Sequence, residues 1–121
     1  MAKILKCDDC ASVVQLLAKG DGKVCSDHMF EFPAQTEGEK SPKHKPVVEI
    51  DGNKVTVKVG EAAHPMDDDH YIQFVLVESN CEQYIKHFRP GDAPEATFTI
   101  NCTEDMTVLA FCNLHGLWSA E

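Results

Sequence analysis

Short segments rich in β-branched residues, separated by turn residues, follow one another along much of this chain. Val47–Ile50 and Val55–Val59 flank the sequence Asp-Gly-Asn, in which Asp-Gly tolerates positive φ, so the two segments predict a β-hairpin. Four more strands are predicted at Tyr71–Val77, Tyr84–Phe88, Ala96–Ile100 and Thr107–Phe111. No segment keeps a helical period over roughly ten or more residues. The pattern predicts an all-β fold, an immunoglobulin-like antiparallel β-sandwich.

A small β module is predicted to precede this sandwich. Residues 1 to about 32 contain a C-x-x-C, a short apolar run and a Gly-Asp-Gly turn, too little for a core of their own without a metal or a partner chain. The polar stretch from Pro33 to Pro42 has no hydrophobic period and is typical of a linker. We therefore expect an N-terminal module at residues 1–36 and the main domain at residues 37–121.

Charge and hydropathy narrow the possible partners. The chain has 121 residues and a formal net charge of −9, from 11 basic and 20 acidic side chains. That charge would repel nucleic acid phosphates and an anionic membrane surface. No apolar run approaches the roughly 20 residues that cross a bilayer, and the start lacks a secretory signal. We expect a cytoplasmic protein, and any anionic substrate would need a local positive group.

Cysteines and histidines supply candidate metal ligands. Without an export signal, the six cysteines are better suited to metal or redox roles than to disulfides. Cys112 lies three residues before His115, so a thiolate and an imidazole can bind one ion from a single turn. His64 and His70 flank an acidic loop, and His44 precedes the first strand of the sandwich. Strand ends that are distant in sequence can converge at one pole of a sandwich.

Together these side chains offer four nitrogens and one sulfur. Each of these residues also has an explanation that involves no metal. Exposed loop histidines are usually solvated, and a free cysteine is commonly buried for packing. Zinc prefers four tetrahedral ligands, so five ligands with an open sixth position suit a redox metal such as iron better.

Four segments carry a resemblance to a known family. Lys43-His44, HPMDDDHYIQF from His64, RPGDAPEATF from Arg89 and CNLHGLW from Cys112 resemble superoxide reductases, the desulfoferrodoxin and neelaredoxin family, in that order. The likeness implies one mononuclear non-haem iron per chain with an axial Cys112 thiolate and four equatorial imidazoles, those of His44, His64, His70 and His115. It implies one-electron reduction of superoxide to hydrogen peroxide.

The resemblance also implies partners and a further site residue. Lys43 resembles the family lysine that attracts superoxide and helps to protonate the peroxide product. Electrons would come from an external donor such as rubredoxin, and relatives suggest a homo-oligomer, a dimer or tetramer. One departure is Pro42, which stands where relatives commonly have a glutamate that can bind ferric iron. Whether Glu37 or Glu39 substitutes for it stays open.

The N-terminal module departs from its relatives too. It resembles the desulforedoxin-like domain that binds a second iron through four cysteines, and Cys7, Cys10 and Cys25 match three of them. Ser26 stands at the fourth position, and a serine oxygen is a poor replacement at neutral pH. We therefore expect an absent or weak second site, which His28 or Asp27 would complete only in a different form.

The remaining cysteines and two aromatic residues are expected to have no part in metal binding. Cys81 and Cys102 have no metal-like companions and are expected to be buried thiols. Trp118 and Tyr71 are expected to be core or rim aromatics.

Two other functions compete with superoxide reduction. The first is an iron-containing electron-transfer or metal-binding module without superoxide turnover. The second is an immunoglobulin-like interaction domain without a metal.

Overall fold

The computed structural model describes residues 3–18 and 28–120. The chain divides into two compact units, Met1–Pro33 and Ala34–Glu121. The expected domain boundary between residues 36 and 37 stays a prediction.

The first unit contains a three-stranded antiparallel sheet. Its strands are β1 (Lys3–Cys7), β2 (Val13–Leu16) and β3 (Met29–Glu31), in the order β2-β1-β3. Ile4 and Leu5 of the central strand are buried. Cys7 is the last residue of β1, so the C-x-x-C lies in the turn that leads to β2.

The second unit contains one short helix and seven strands. The helix α1 (Ser41–His44) includes Pro42 in its first turn, where a fixed φ suits the helix. The strands that follow are β4 (Pro46–Asp51), β5 (Lys54–Val59), β6 (Ile72–Ser79), β7 (Glu82–His87), β8 (Glu95–Thr99), β9 (Thr107–Cys112) and β10 (Gly116–Ser119). They form a four-stranded sheet, β10-β9-β6-β7, and a three-stranded sheet, β4-β5-β8, with every strand pair antiparallel.

The core lies between these two sheets. Val55 and Val57 of β5 belong to the same buried cluster as Val75 and Val77 of β6. Alternate residues of each strand point to the same face, so the alternating pattern of β5 buries its valines and exposes Lys54 and Lys58. The predicted all-β fold with antiparallel sheets is confirmed.

Two sequence-based expectations are wrong. We placed the end of the last strand before Cys112, but β10 follows it and pairs with β9 from Gly116 to Ser119. We expected Cys81 and Cys102 to be buried; Cys81 is exposed in the β6–β7 turn with φ 63°, and Cys102 is only half-buried between β8 and β9. Both thiols belong to connections rather than strand interiors, which explains their exposure.

Among the described residues, no helix has the length and apolar character needed to cross a membrane.

Candidate metal centre

Five side chains from four segments of the second unit meet at one end of the sandwich. His44 is the last residue of α1, and His64 and His70 belong to the β5–β6 connection. Cys112 ends β9, and His115 lies in the turn before β10. A β-bulge at the start of β6 shifts the register so that Ile72 lies opposite Cys112. The five predicted ligands of the main centre are thus brought together.

The four imidazoles form a closed ring of neighbours. The ring centroids of His44 and His64 are 4.5 Å apart, those of His64 and His70 4.7 Å, those of His70 and His115 5.1 Å and those of His115 and His44 4.9 Å. Each neighbouring pair is close to perpendicular, at 75–86°. His44 and His70 lie across the ring at 6.4 Å. The arrangement is a square of alternating rings.

Nitrogen atoms face the centre of this square. Nε2 of His44 is 3.0 Å from Nε2 of His64 and 3.1 Å from Nδ1 of His115. Two nitrogens bound at right angles to one ion, each about 2.1 Å away, would lie about 3 Å apart. The Cys112 Sγ atom is 3.8 Å from Nδ1 of His115. Ligand atoms of His44, His70, Cys112 and His115 all lie within 4.8 Å of one another.

The hydrogen bonds of the imidazoles are also those expected of histidines that bind a metal ion. Nδ1 of His44 is 2.7 Å from the Lys40 carbonyl, and Nδ1 of His64 is 2.6 Å from the Pro65 carbonyl. Donation from Nδ1 leaves Nε2 with a lone pair, as a metal ligand requires. Nε2 of His70 is buried and has no hydrogen-bond partner in the described structure, although buried polar atoms are normally paired. A metal ion at the centre would satisfy it.

The surroundings favour uncharged imidazoles. Burial lowers the pKa of His64 to about 4 and also lowers the pKa of His44 and of His115. Burial raises the pKa of the Cys112 thiol, against hydrogen bonds from the main chain of Leu114 and His115. Binding of a metal to the sulfur therefore requires release of a proton from Cys112.

We predict that the metal-free protein loses stability as the pH falls from about 6.5 to about 4. In the unfolded chain a histidine takes up a proton near pH 6.5, whereas folded His64 resists protonation until about pH 4. The unfolded state thus binds more protons in this window, and the free energy of unfolding decreases. Thermal melts of metal-free protein at several pH values measure the effect. A melting temperature that is constant across the window would contradict it.

Two residues outside the ligand set hold the turn that carries His115. The buried Trp118 ring stacks on His44 at 5.3 Å, and its Nε1 donates to the His115 carbonyl at 3.1 Å. Nε2 of Gln35 donates to the same carbonyl at 2.8 Å. Gln35 also pairs with Trp118 in a parallel bridge. The sequence-based interpretation missed these supports, because neither a polar linker nor a core tryptophan signals a role at a metal centre.

Two lysines lie on or beside α1. Lys43 is exposed on the helix immediately before His44. Lys40 precedes the helix, and its positive charge lowers the pKa of both His44 and His115. Sequence reasoning missed Lys40, because its closeness to His115 depends on the fold. Glu37 and Glu39, the candidates for a further ligand, are both exposed.

The described N-terminal residues leave the second site untested. Cys7 is half-buried and Cys10 exposed, and the Cys10 thiol donates to the Ser12 hydroxyl at 3.1 Å. Cys25, Ser26 and Asp27 lie outside the described residues. His28 contacts two carboxylates, with Nδ1 3.4 Å from Asp8 and 3.1 Å from Asp9. A weak site at Cys7, Cys10 and Cys25 stays a prediction.

Comparison with known proteins identifies the family. Residues 36–121 match the family described as Desulfoferrodoxin. This chain belongs to the desulfoferrodoxin family. A desulfoferrodoxin homolog of Archaeoglobus fulgidus is 38% identical over 120 residues, covering 98% of this chain and 95% of that protein. A second, from Methanothermobacter thermautotrophicus, is 40% identical and covers 96% and 95%.

A solved structure agrees with this assignment. The crystal structure of the superoxide reductase from Treponema pallidum superposes with a TM-score of 0.76 at 32% identity, covering 100% of this chain and 98% of that one. The resemblance noted in the sequence is thereby confirmed. Desulfoferrodoxins bind non-haem iron, and the cluster of His44, His70, Cys112 and His115 can hold such an ion.

Proposed function

We propose that this chain is a superoxide reductase, which reduces superoxide to hydrogen peroxide by one electron at a mononuclear iron. One observation carries the proposal: the described structure brings four imidazoles into a square with one cysteine sulfur beside it. The ligands would be His44, His64, His70, Cys112 and His115. Membership in the desulfoferrodoxin family and the similarity to a solved superoxide reductase support the assignment.

The ligand charges suit an anionic substrate. Three of the four imidazoles have lowered pKa values and are neutral at pH 7. Four neutral imidazoles and one thiolate would leave a ferrous centre with a net charge of +1, within a chain of formal charge −9. When bound, iron supplies the electron. A Cys112 thiolate would be a soft ligand to that metal, and its electron density would favour release of the product.

The proposed reaction needs an electron and two protons for each superoxide. We propose that the electron comes from an external rubredoxin-like donor. Leu114 lies between Cys112 and His115 and is 60% exposed, so it offers such a donor an apolar contact beside the ligands.

We also propose that the protein is a cytoplasmic homo-oligomer, a dimer or tetramer. The exposed apolar side chains of Val14, Leu17 and Phe30 in the first unit are consistent with such an assembly.

Rapid mixing or pulse radiolysis tests the function directly. Ferrous protein should be oxidised by superoxide at a rate proportional to the superoxide concentration. If a reductant and a chemical oxidant cycle the iron but superoxide does not react with it, the chain is an electron-transfer module instead. Purified protein without iron that also fails to bind added iron would favour the metal-free interaction domain.

We propose that Lys43 attracts the anion, with Lys40 as a second positive charge. We expect Lys43→Ala to lower the second-order rate with superoxide about 10-fold, because steering by local charge changes association rates by at least that factor. Lys43→Arg should keep most of the rate, since it keeps the charge. Lys40→Ala should also lower the rate, because the charge of Lys40 acts on His44 and His115.

The control for this experiment is Lys54→Ala. Lys54 is exposed at the end of β5 remote from His64. That variant removes the same charge from the chain and should leave the rate within about 2-fold, since salt screens distant charges. An equal decrease in the Lys43 and Lys54 variants would show an effect of net charge only and would contradict a local role.

A further inference from the structure

The side chain of Asn113 clamps the main chain on both sides of His70. Its Oδ1 accepts a hydrogen bond from the N–H of Tyr71 at 3.0 Å, and its Nδ2 donates to the carbonyl of Asp69 at 3.0 Å. The main-chain N–H of Asn113 also donates to the Tyr71 carbonyl at 3.3 Å. Asn113 follows Cys112 directly, so one residue links the segment that carries Cys112 and His115 to the connection that carries His64 and His70.

His70 depends on its main-chain contacts more than His44 and His64 do. The rings of His44 and His64 are each held by a hydrogen bond from Nδ1 to a carbonyl. The described residues provide no such bond to the ring of His70, whose Nε2 is buried without a partner. His70 is held through its main chain instead, which also exchanges two hydrogen bonds with Asp67, of 2.9 and 3.2 Å. The position of its imidazole therefore follows the position of its backbone.

We propose that Asn113 is a positioning residue that sets where the His70 imidazole meets the metal. The inference rests on the proposed ligand set but not on superoxide turnover. A carboxamide offers both a donor to the Asp69 carbonyl and an acceptor to the Tyr71 N–H, whereas an ionised carboxylate offers only acceptors. Groups that orient a metal ligand from outside the coordination sphere typically change metal affinity 10- to 100-fold when they are removed.

Two substitutions separate the halves of the clamp. Asn113→Asp keeps the oxygen that accepts from Tyr71 but places a second oxygen against the Asp69 carbonyl. Asn113→Ala removes both contacts. Hydrogen exchange of the Tyr71 amide should therefore accelerate in the alanine variant and stay close to wild type in the aspartate variant.

The main measurement is the affinity of metal-free protein for Co²⁺, followed by its absorption bands in competition with a chelator. Both Asn113 variants should bind Co²⁺ about 10- to 100-fold more weakly than wild type. The matched control is Asn101→Asp, because Nδ2 of Asn101 donates to Glu82 at 3.2 Å near the other end of β6. That variant makes the same replacement of a donor by an oxygen and should leave the Co²⁺ affinity unchanged.

A double-mutant cycle tests whether Asn113 acts through His70. In a His70→Ala background, Asn113→Asp should lower Co²⁺ affinity by less than about 3-fold, because the ligand that it positions is gone. Independent effects that simply multiply would overturn the proposal, as would an Asn113→Asp variant with wild-type affinity. A wild type that binds Co²⁺, but whose iron-loaded ferrous form does not react with superoxide, would refute the proposed function and leave this inference standing. A wild type that binds no Co²⁺ would overturn the inference too.

Discussion

Cys112→Ser is expected to remove the sulfur-to-iron charge-transfer absorption and to slow superoxide-driven oxidation of the ferrous protein at least about 10-fold. Cys112 is fully buried at the end of β9, so the smaller serine should fit without disturbing the strand. A serine hydroxyl stays protonated at neutral pH and is a poor ligand compared with a thiolate. Visible absorption spectra and pulse radiolysis of the iron-loaded variant measure both effects.

Cys81→Ser is the matched control for that experiment. Cys81 is exposed in the β6–β7 turn, remote from the ligands along β6. The same substitution there should leave spectrum, iron content and rate unchanged. A Cys112→Ser protein with the wild-type spectrum and rate would show that the sulfur is not a ligand.

Gly60→Ala is expected to weaken both the fold and the metal centre. Gly60 has φ +87°, and an added Cβ would lie 2.5 Å from the Lys43 carbonyl oxygen and 2.4 Å from that of Ala62. Both are main-chain atoms, so relief requires a shift of the backbone directly before His44. The positive φ alone costs about 1–3 kcal/mol in a residue with a Cβ. We expect the melting temperature to fall by roughly 10 °C or more and metal affinity to fall at least about 10-fold.

Gly91→Ala separates the clash from the backbone strain. Gly91 has φ +91°, but nothing lies within 4 Å of an added Cβ. That variant should lose stability through strain alone and keep its metal affinity within about 2-fold. Calorimetry and chelator competition on both variants give the comparison. Equal metal affinities in the two variants would contradict a role for Gly60 in placing α1.

The strand β5 was predictable because its buried and exposed residues alternate. Val55, Val57 and Val59 are buried and Lys54 and Lys58 exposed, as a half-buried strand requires. The strand β10 escaped prediction because it is four residues long, and Leu117 and Trp118 are buried side by side. Consecutive buried residues give no period-two signal.

The ligand residues were predictable from the sequence, but the contacts that hold them in place were not. C-x-x-H and the histidine pair in HPMDDDH mark donor atoms by residue type and local spacing. The contacts of Trp118 with His44 and of Asn113 with the flanks of His70 join residues that are 42 or more positions apart. Such contacts depend on the strand register and the bulge in β6, which a single sequence does not reveal. The closeness of Lys40 to His115 likewise depends on the fold, so the sequence alone did not reveal it.

The yield of hydrogen peroxide per superoxide distinguishes reduction of superoxide from its dismutation. Ferrous protein of known iron content would be mixed with a limiting amount of superoxide, with catalase-sensitive peroxide and dioxygen measured together. Reduction at the proposed centre gives one hydrogen peroxide for each superoxide, one oxidised iron and no dioxygen. Half that yield, with dioxygen released and the iron still ferrous, would mean dismutation and would contradict the account.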